Sequence, residues 1–130
     1  MTPLLFAGIA VAGGLGAACR LFVDALVRSR IRTRFPVGTL LINVTGSFLL
    51  GLVVTAVIGQ ALPAGWGLVL GTGLLGGYTT FSTASVETVR LMTDRRYGLA
   101  LGSSVGMLIA GMGAGALGLW LGAIGASALP

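Results

Sequence analysis

Four stretches of this chain, residues 4–27, 37–59, 66–86 and 97–122, are apolar and long. Each meets the length a helix needs to cross a bilayer, about 20 residues at ~1.5 Å of rise per residue. The last two and the second hold at most Glu87 at their border and no internal Asp, Glu, Lys or Arg. In hydrocarbon, backbone N–H and C=O groups must be paired within the protein, so only helices and closed barrels span. Continuous apolar runs without strict alternation point to helices. The expected fold is therefore an all-α integral membrane bundle of four transmembrane helices, one domain over residues 1–130.

Charge supports this. Only 8% of residues are charged, against about 25% in soluble domains, so there is too little polar surface to wrap a water-soluble core. The pI of 11.2 suggests nucleic-acid binding at first sight. All eight basic residues are Arg, however, and none lies on a soluble amphipathic element. Four fall between residues 28 and 36 and three between 87 and 96, with none in the 60–65 loop or the termini. Such a bias orients a membrane protein: Arg-rich loops are expected in the cytoplasm and both termini outside, in a cell inner or plasma membrane. The N-terminus lacks a basic leader region, and its apolar run continues past Cys19, which predicts a retained first span. Cys19 is alone and cannot form an intrachain disulfide.

The third run ends in Gly76-Gly77-Tyr78-Thr79-Thr80-Phe81-Ser82-Thr83-Ala84-Ser85. Paired glycines followed by hydroxyl residues favour a broken helix, predicted near Gly76–Thr80. A break frees backbone groups, which at membrane depth are tolerated against protein, along a watery path or around an ion. The same run contains Gly71-Thr72-Gly73-Leu74-Leu75-Gly76, a match to a dinucleotide fingerprint with Asp94 about 20 residues further on. That fingerprint needs a βαβ unit, which a spanning run cannot supply. Close helix packing accounts for these glycines.

Elsewhere the polar residues are few and spaced. Arg20 and Asp24, four apart, share a helical face. They suit a local ion pair, or an Arg20 that lines an anion-attracting vestibule. Thr39, Asn43, Ser47, Gly51 and Thr55 make one stripe on the second helix. It suits interhelical hydrogen bonding or the lining of a pore. In the fourth helix Gly98, Gly102, Gly106, Ala110, Ala114, Gly118 and Gly122 form a small-residue stripe, expected to be a packing face. Trp66 and Trp120 sit where interfacial aromatics belong.

Enzymatic functions lack parts. There is no His, the three carboxylates are scattered, and no P-loop is present. What remains suits a small, strongly hydrated anion, whose desolvation needs several donors: Asn43, Thr39, Ser47, Ser82 and Thr83. Phe81 adds the positive edge of its ring.

Three motifs carry a resemblance: Gly13-Gly14-Leu15-Gly16-Ala17-Ala18-Cys19-Arg20; Phe35-Pro36-Val37-Gly38-Thr39-Leu40-Leu41-Ile42-Asn43 with Gly46-Ser47-Phe48; and Gly76-Gly77-Tyr78-Thr79-Thr80-Phe81-Ser82-Thr83. In this order they resemble the Fluc/CrcB family of fluoride channels over nearly the whole chain. The resemblance implies passive fluoride export through an antiparallel dimer with two pores, and a structural, untransported Na⁺ at the dimer axis. It implies that backbone oxygens of Gly76 and Thr79 hold the Na⁺, that Asn43 is the pore amide, and that Phe81 is the first of two pore phenylalanines. The second phenylalanine is replaced by Ala84. On the fourth helix the family's polar pair becomes Ser103 and Met107. With the one-sided Arg loops, these departures predict a heterodimer with a related subunit of opposite orientation. Two other readings are a small four-helix drug/proton antiporter, whose embedded acid would be Asp24, and a nonconducting partner subunit of a heterodimeric channel.

Overall fold

A computed structural model describes residues 2–127, and every regular element among them is helical. Helix α1 is Pro3–Arg30 and α2 is Val37–Ile58. The third run forms α3, residues 64–78, and then α4, Phe81–Thr93. Helix α5 is Tyr97–Ser127. Helices α1, α2 and α5 are each long and apolar enough to cross a membrane. The third crossing is made of two pieces.

Each helix begins and ends for a local reason. Thr2 caps α1 by accepting from the Leu5 N–H at 3.2 Å, and Pro3 starts it where a missing N–H is harmless. Pro36 directly precedes α2. Helix α4 ends in a Schellman-type turn, in which the Arg96 N–H bonds the Leu91 carbonyl at 2.8 Å. Arg95 holds the left-handed position there, with φ 57°.

Two glycine-mediated crossings build the bundle. In the first, α1 meets α3. A Cβ on Gly16 would strike the Leu74 carbonyl, and one on Gly77 would strike the Gly13 carbonyl. A Cβ on Gly73 would come within 2.8 Å of the Ile9 carbonyl. Close packing therefore explains Gly73 of the fingerprint-like run. A Cβ on Gly71 would meet only the Leu50 and Val53 side chains, and one on Gly76 would have no close neighbour from another helix among the described residues. In the second, α2 meets α5. A Cβ on Gly51 would lie 2.5 Å from the Gly115 carbonyl, and one on Gly122 would lie 2.7 Å from Thr55. The Thr55 hydroxyl donates to the carbonyls of Gly51 at 2.9 Å and Leu119 at 3.2 Å, sealing this crossing. Backbones this close gain dispersion contacts that bulkier residues would forbid.

The small-residue stripe of α5 is only partly the packing face expected of it. Gly118 and Gly122 pack on α2, but Gly98, Gly102 and Gly106 face open space. Residues Gly111 and Gly115, just off the stripe, lie against Ser47 instead. A strict four-residue repeat drifts around a 3.6-residue helix, so one stripe cannot follow a single neighbour along 31 residues.

The outside is apolar: Leu4, Phe6, Phe22, Leu101 and Ile109 are all exposed. In water this would be one continuous sticky surface. In a bilayer it is the lipid-facing coat.

Candidate functional site

The third crossing carries the most unusual backbone in the chain. Leu68–Leu75 is π-helical, and the Gly76 N–H reaches back five residues to the Gly71 carbonyl. Such wide turns are rare and cluster at functional sites. Regular helix resumes over Gly76–Tyr78 and then stops. Thr79 (ψ 159°) and Thr80 (φ −150°, ψ 120°) are extended, and α4 starts at Phe81. The helix is thus broken at Thr79–Thr80, at the end of the predicted stretch. The glycine pair itself stays helical, because Gly77 is occupied in letting α3 approach α1.

The freed groups of the break are satisfied from α2. The Asn43 carboxamide pairs with Thr80 at two points: Thr80 N–H donates to Asn43 Oδ1 at 2.8 Å, and Asn43 Nδ2 donates to the Thr80 carbonyl at 2.9 Å. The second amide hydrogen points to Met107 Sδ, 3.2 Å away on α5. Thr80 also caps α4, its hydroxyl accepting from the Thr83 N–H at 3.2 Å and bonding the Thr83 hydroxyl at 3.0 Å. In an unbroken helix the N–H groups of Thr80 and Thr83 would donate to the carbonyls of Gly76 and Thr79. Both donors are diverted here, so those two carbonyls are left to find other partners. Two hard oxygens on one broken helix match the chemistry of a monovalent hard cation. The donor set fits the Na⁺ that the family resemblance implies.

An open groove of about 940 Å³ runs along the break. Asn43, Ser47, Gly76, Thr79 and Phe81, all singled out from sequence, line it together. Phe81 stands at its rim with 87% of its surface exposed. Ser82 and Thr83 lie on the other side of α4, around a smaller pocket shared with Arg28, Glu87 and Arg90. Thr39 and Ser103 are each 1% exposed, inside the bundle and away from the groove. The stripe on α2 therefore divides: Asn43 and Ser47 face the groove, Gly51 lines it and also serves the crossing with α5, and Thr55 serves that crossing alone.

Several groove residues escaped the sequence reading. Thr80, one residue of a longer motif by sequence, is the group that Asn43 holds across the break. Ser85 and Thr88 continue the groove-facing side of α4 beyond Phe81, at helical spacing that was there to be read. Ser104, not its neighbour Ser103, reaches the groove, where its hydroxyl lies 3.0 Å from that of Thr88. Two adjacent serines on a helix of uncertain rotation could not be told apart by pattern alone.

The charged end is arranged differently from a simple Arg20–Asp24 pair. Asp24 bonds Arg28 at 2.9 Å, and Arg28 also bonds Glu87 of α4 at 2.9 Å. Arg20 forms no ion pair among the described residues. Arg28 thus ties the end of α1 to α4, although its exposure keeps the energy of each pair small. The second oxygens of Asp24 and Glu87 are buried, and the Asp24 oxygen lies over Gly38, at the positive N-terminal end of α2.

Comparison with known proteins gives a consistent picture. The family model described as "CrcB-like protein, Camphor Resistance (CrcB)" matches residues 7–123. A protein of Leifsonia xyli subsp. xyli named "Fluoride-specific ion channel FluC 1" is 54% identical over 130 residues, covering 100% of this chain and 95% of that protein. "Fluoride-specific ion channel FluC 2" of Mycobacterium tuberculosis is 41% identical over 121 residues, 93% of each chain. A FluC 2 of Cutibacterium acnes is 47% identical over 117 residues, covering 88% of this chain and 94% of its own.

Proposed function

Because the chain belongs to the CrcB/FluC family of fluoride-specific ion channels, we propose that it exports cytoplasmic fluoride passively along the groove beside the broken third helix. The multi-pass membrane fold and the channel class follow from family membership, and the chain is not an enzyme. The finer reading rests on one observation: the break, Asn43, Ser47 and the exposed Phe81 all meet in a single groove.

A dehydrating anion needs donors and positive ring edges in a channel too narrow for its water. Phe81 offers a ring edge at the rim, and Ser47 a hydroxyl inside. Ser82 and Thr83, beside Arg28 and Arg90, extend the polar surface toward the Arg-rich end. Arg20 attracts anions in the vestibule, whereas Thr39 and Ser103, buried away from the groove, take no part in this path. With the Arg-rich loops cytoplasmic and the termini outside, the interior-negative potential drives an anion outward by about 2.3 kcal/mol per 100 mV. No coupling to protons or ATP is required.

The groove is open on one side, as a half-channel completed by an antiparallel partner would be. Gly76 and Thr79 line it, and their carbonyls would hold a structural Na⁺ at the dimer axis. A bound cation would neutralise carbonyl dipoles left without N–H partners and raise the local positive potential. The antiporter alternative loses its support: Asp24, the acid that reading requires, is already paired with Arg28.

The test is fluoride efflux from proteoliposomes holding the assembled complex, with the membrane potential shunted and chloride as control. Rapid fluoride release without chloride release is expected. An assembled complex that retains its fluoride would refute the reading. One that conducts only through its partner's residues would make this chain a nonconducting subunit, a possibility favoured by Ala84 and Met107.

A further inference from the structure

Asn43 presents a puzzle for a pore amide. Both amide hydrogens and the carbonyl oxygen are already engaged, with the Thr80 carbonyl, Met107 Sδ and the Thr80 N–H. No donor is left to face an ion in the groove. What the carboxamide does is take the Thr80 N–H away from the Gly76 carbonyl, the partner that a continuous helix would assign it.

We propose that Asn43 is a positioning residue: by bracketing Thr80 across the break, it frees the Gly76 carbonyl and so sets the affinity of the third helix for Na⁺. This rests on the reading of Gly76 and Thr79 as cation ligands and deepens it. Thr80 supplies the second half of the device, since its hydroxyl takes the Thr83 N–H that would otherwise occupy the Thr79 carbonyl. One side chain from α2 and one from the break itself thus expose two carbonyl oxygens three residues apart in the sequence. Without the bracket, the Thr80 N–H would be an unpaired group at membrane depth, and re-forming the helical bond to Gly76 is its nearest remedy. That remedy would remove a cation ligand. Met107 fits the same account: its sulfur accepts the spare amide hydrogen, where a better acceptor would compete with the Thr80 carbonyl for Nδ2.

The purified complex, stripped of Na⁺ by exchange into N-methylglucamine, would be titrated with NaCl at constant ionic strength. The readout is the Na⁺ concentration at the midpoint of thermal stabilisation, taken alongside fluoride flux. Asn43→Leu, similar in shape but unable to bond, is expected to raise that midpoint by about tenfold, the scale of one lost buried hydrogen bond. Asn43→Asp keeps an acceptor for the Thr80 N–H and should hold the midpoint at or below the parental value. Phe81→Ala should lower flux and leave the midpoint where it was. An Asn43→Leu complex with the parental midpoint would overturn the inference while leaving the Na⁺ site intact. A parental complex with no Na⁺-dependent stabilisation would remove the underlying reading, and this proposal with it. Should Asn43→Leu not assemble, the parental protein decides through its Thr80 amide. Slow hydrogen exchange, with a close contact to the Asn43 carboxamide in NMR spectra, supports the bracket; exchange at the rate of an open loop overturns it.

Discussion

Phe81 is one of the most exposed side chains among the described residues, and yet it opens a helix at the edge of a groove that Asn43, Ser47, Thr88 and Ser104 also line. A lipid-facing ring has no need of such neighbours, whereas a ring edge beside an anion path does. Replacing Phe81 by Ala should therefore cut fluoride flux by about fivefold, since a ring contact of this kind is worth about 1 kcal/mol. Because the ring touches little within its own subunit, dimer content in detergent should change far less than flux. Parental flux from a correctly assembled Phe81→Ala complex would remove the ring from the path. Residues of this kind were legible from sequence when their type alone was unusual at its depth, as for Asn43 and Phe81. Rotational position was not legible, so Ser103 could not be separated from Ser104, nor buried Thr39 from Ser47 in the groove. Nor was partner choice: Asp24 had an arginine four residues away on either side and took Arg28.

At the scale of the element, the third crossing and the glycine crossings separate two kinds of glycine. Gly77 sits where any Cβ meets the Gly13 carbonyl, while Gly106 faces open space. Gly77→Ala should push α1 and α3 apart and lower stability by about 1–3 kcal/mol, the usual cost of forcing atoms into a packed contact. Gly106→Ala should be neutral or slightly stabilising within the subunit, because Ala is the better helix former. Thermal unfolding of the two variants in the same detergent compares them; equal stabilities would mean the α1–α3 crossing is loose. Helix number, helix order and the interrupted third crossing were legible because hydropathy and length fix them in a bilayer. The break lay two residues past the glycine pair, since its position depends on which backbone must touch α1 and which can be bracketed by Asn43. Those are tertiary demands, written on other helices.

For the whole molecule, the open groove and the one-sided arginines bear on the same question, which chain completes the channel. If the subunits of this family pair upside down relative to each other, a homodimer needs a chain that inserts both ways. Dual insertion requires nearly balanced Arg and Lys on the two sides. Here four Arg lie between residues 28 and 36 and three between 87 and 96, in the last turns of α1 and α4 and the loops that follow. None lies in the second loop or the termini, so nearly every copy should insert with this Arg-rich end in the cytoplasm. An inverted partner must then be a related chain carrying its basic residues on the opposite loops. Ala84 and Met107, both in the groove, agree with a division of labour in which one chain keeps groups that the other has lost. Single cysteines at Ser29 and Ala64, in a chain whose Cys19 is replaced, report orientation in whole cells through an impermeant thiol reagent. Ala64 should label from outside and Ser29 only after the membrane is opened. Substantial labelling of both positions from outside would mean that this chain inserts both ways, and that a second gene product is not needed to close the groove.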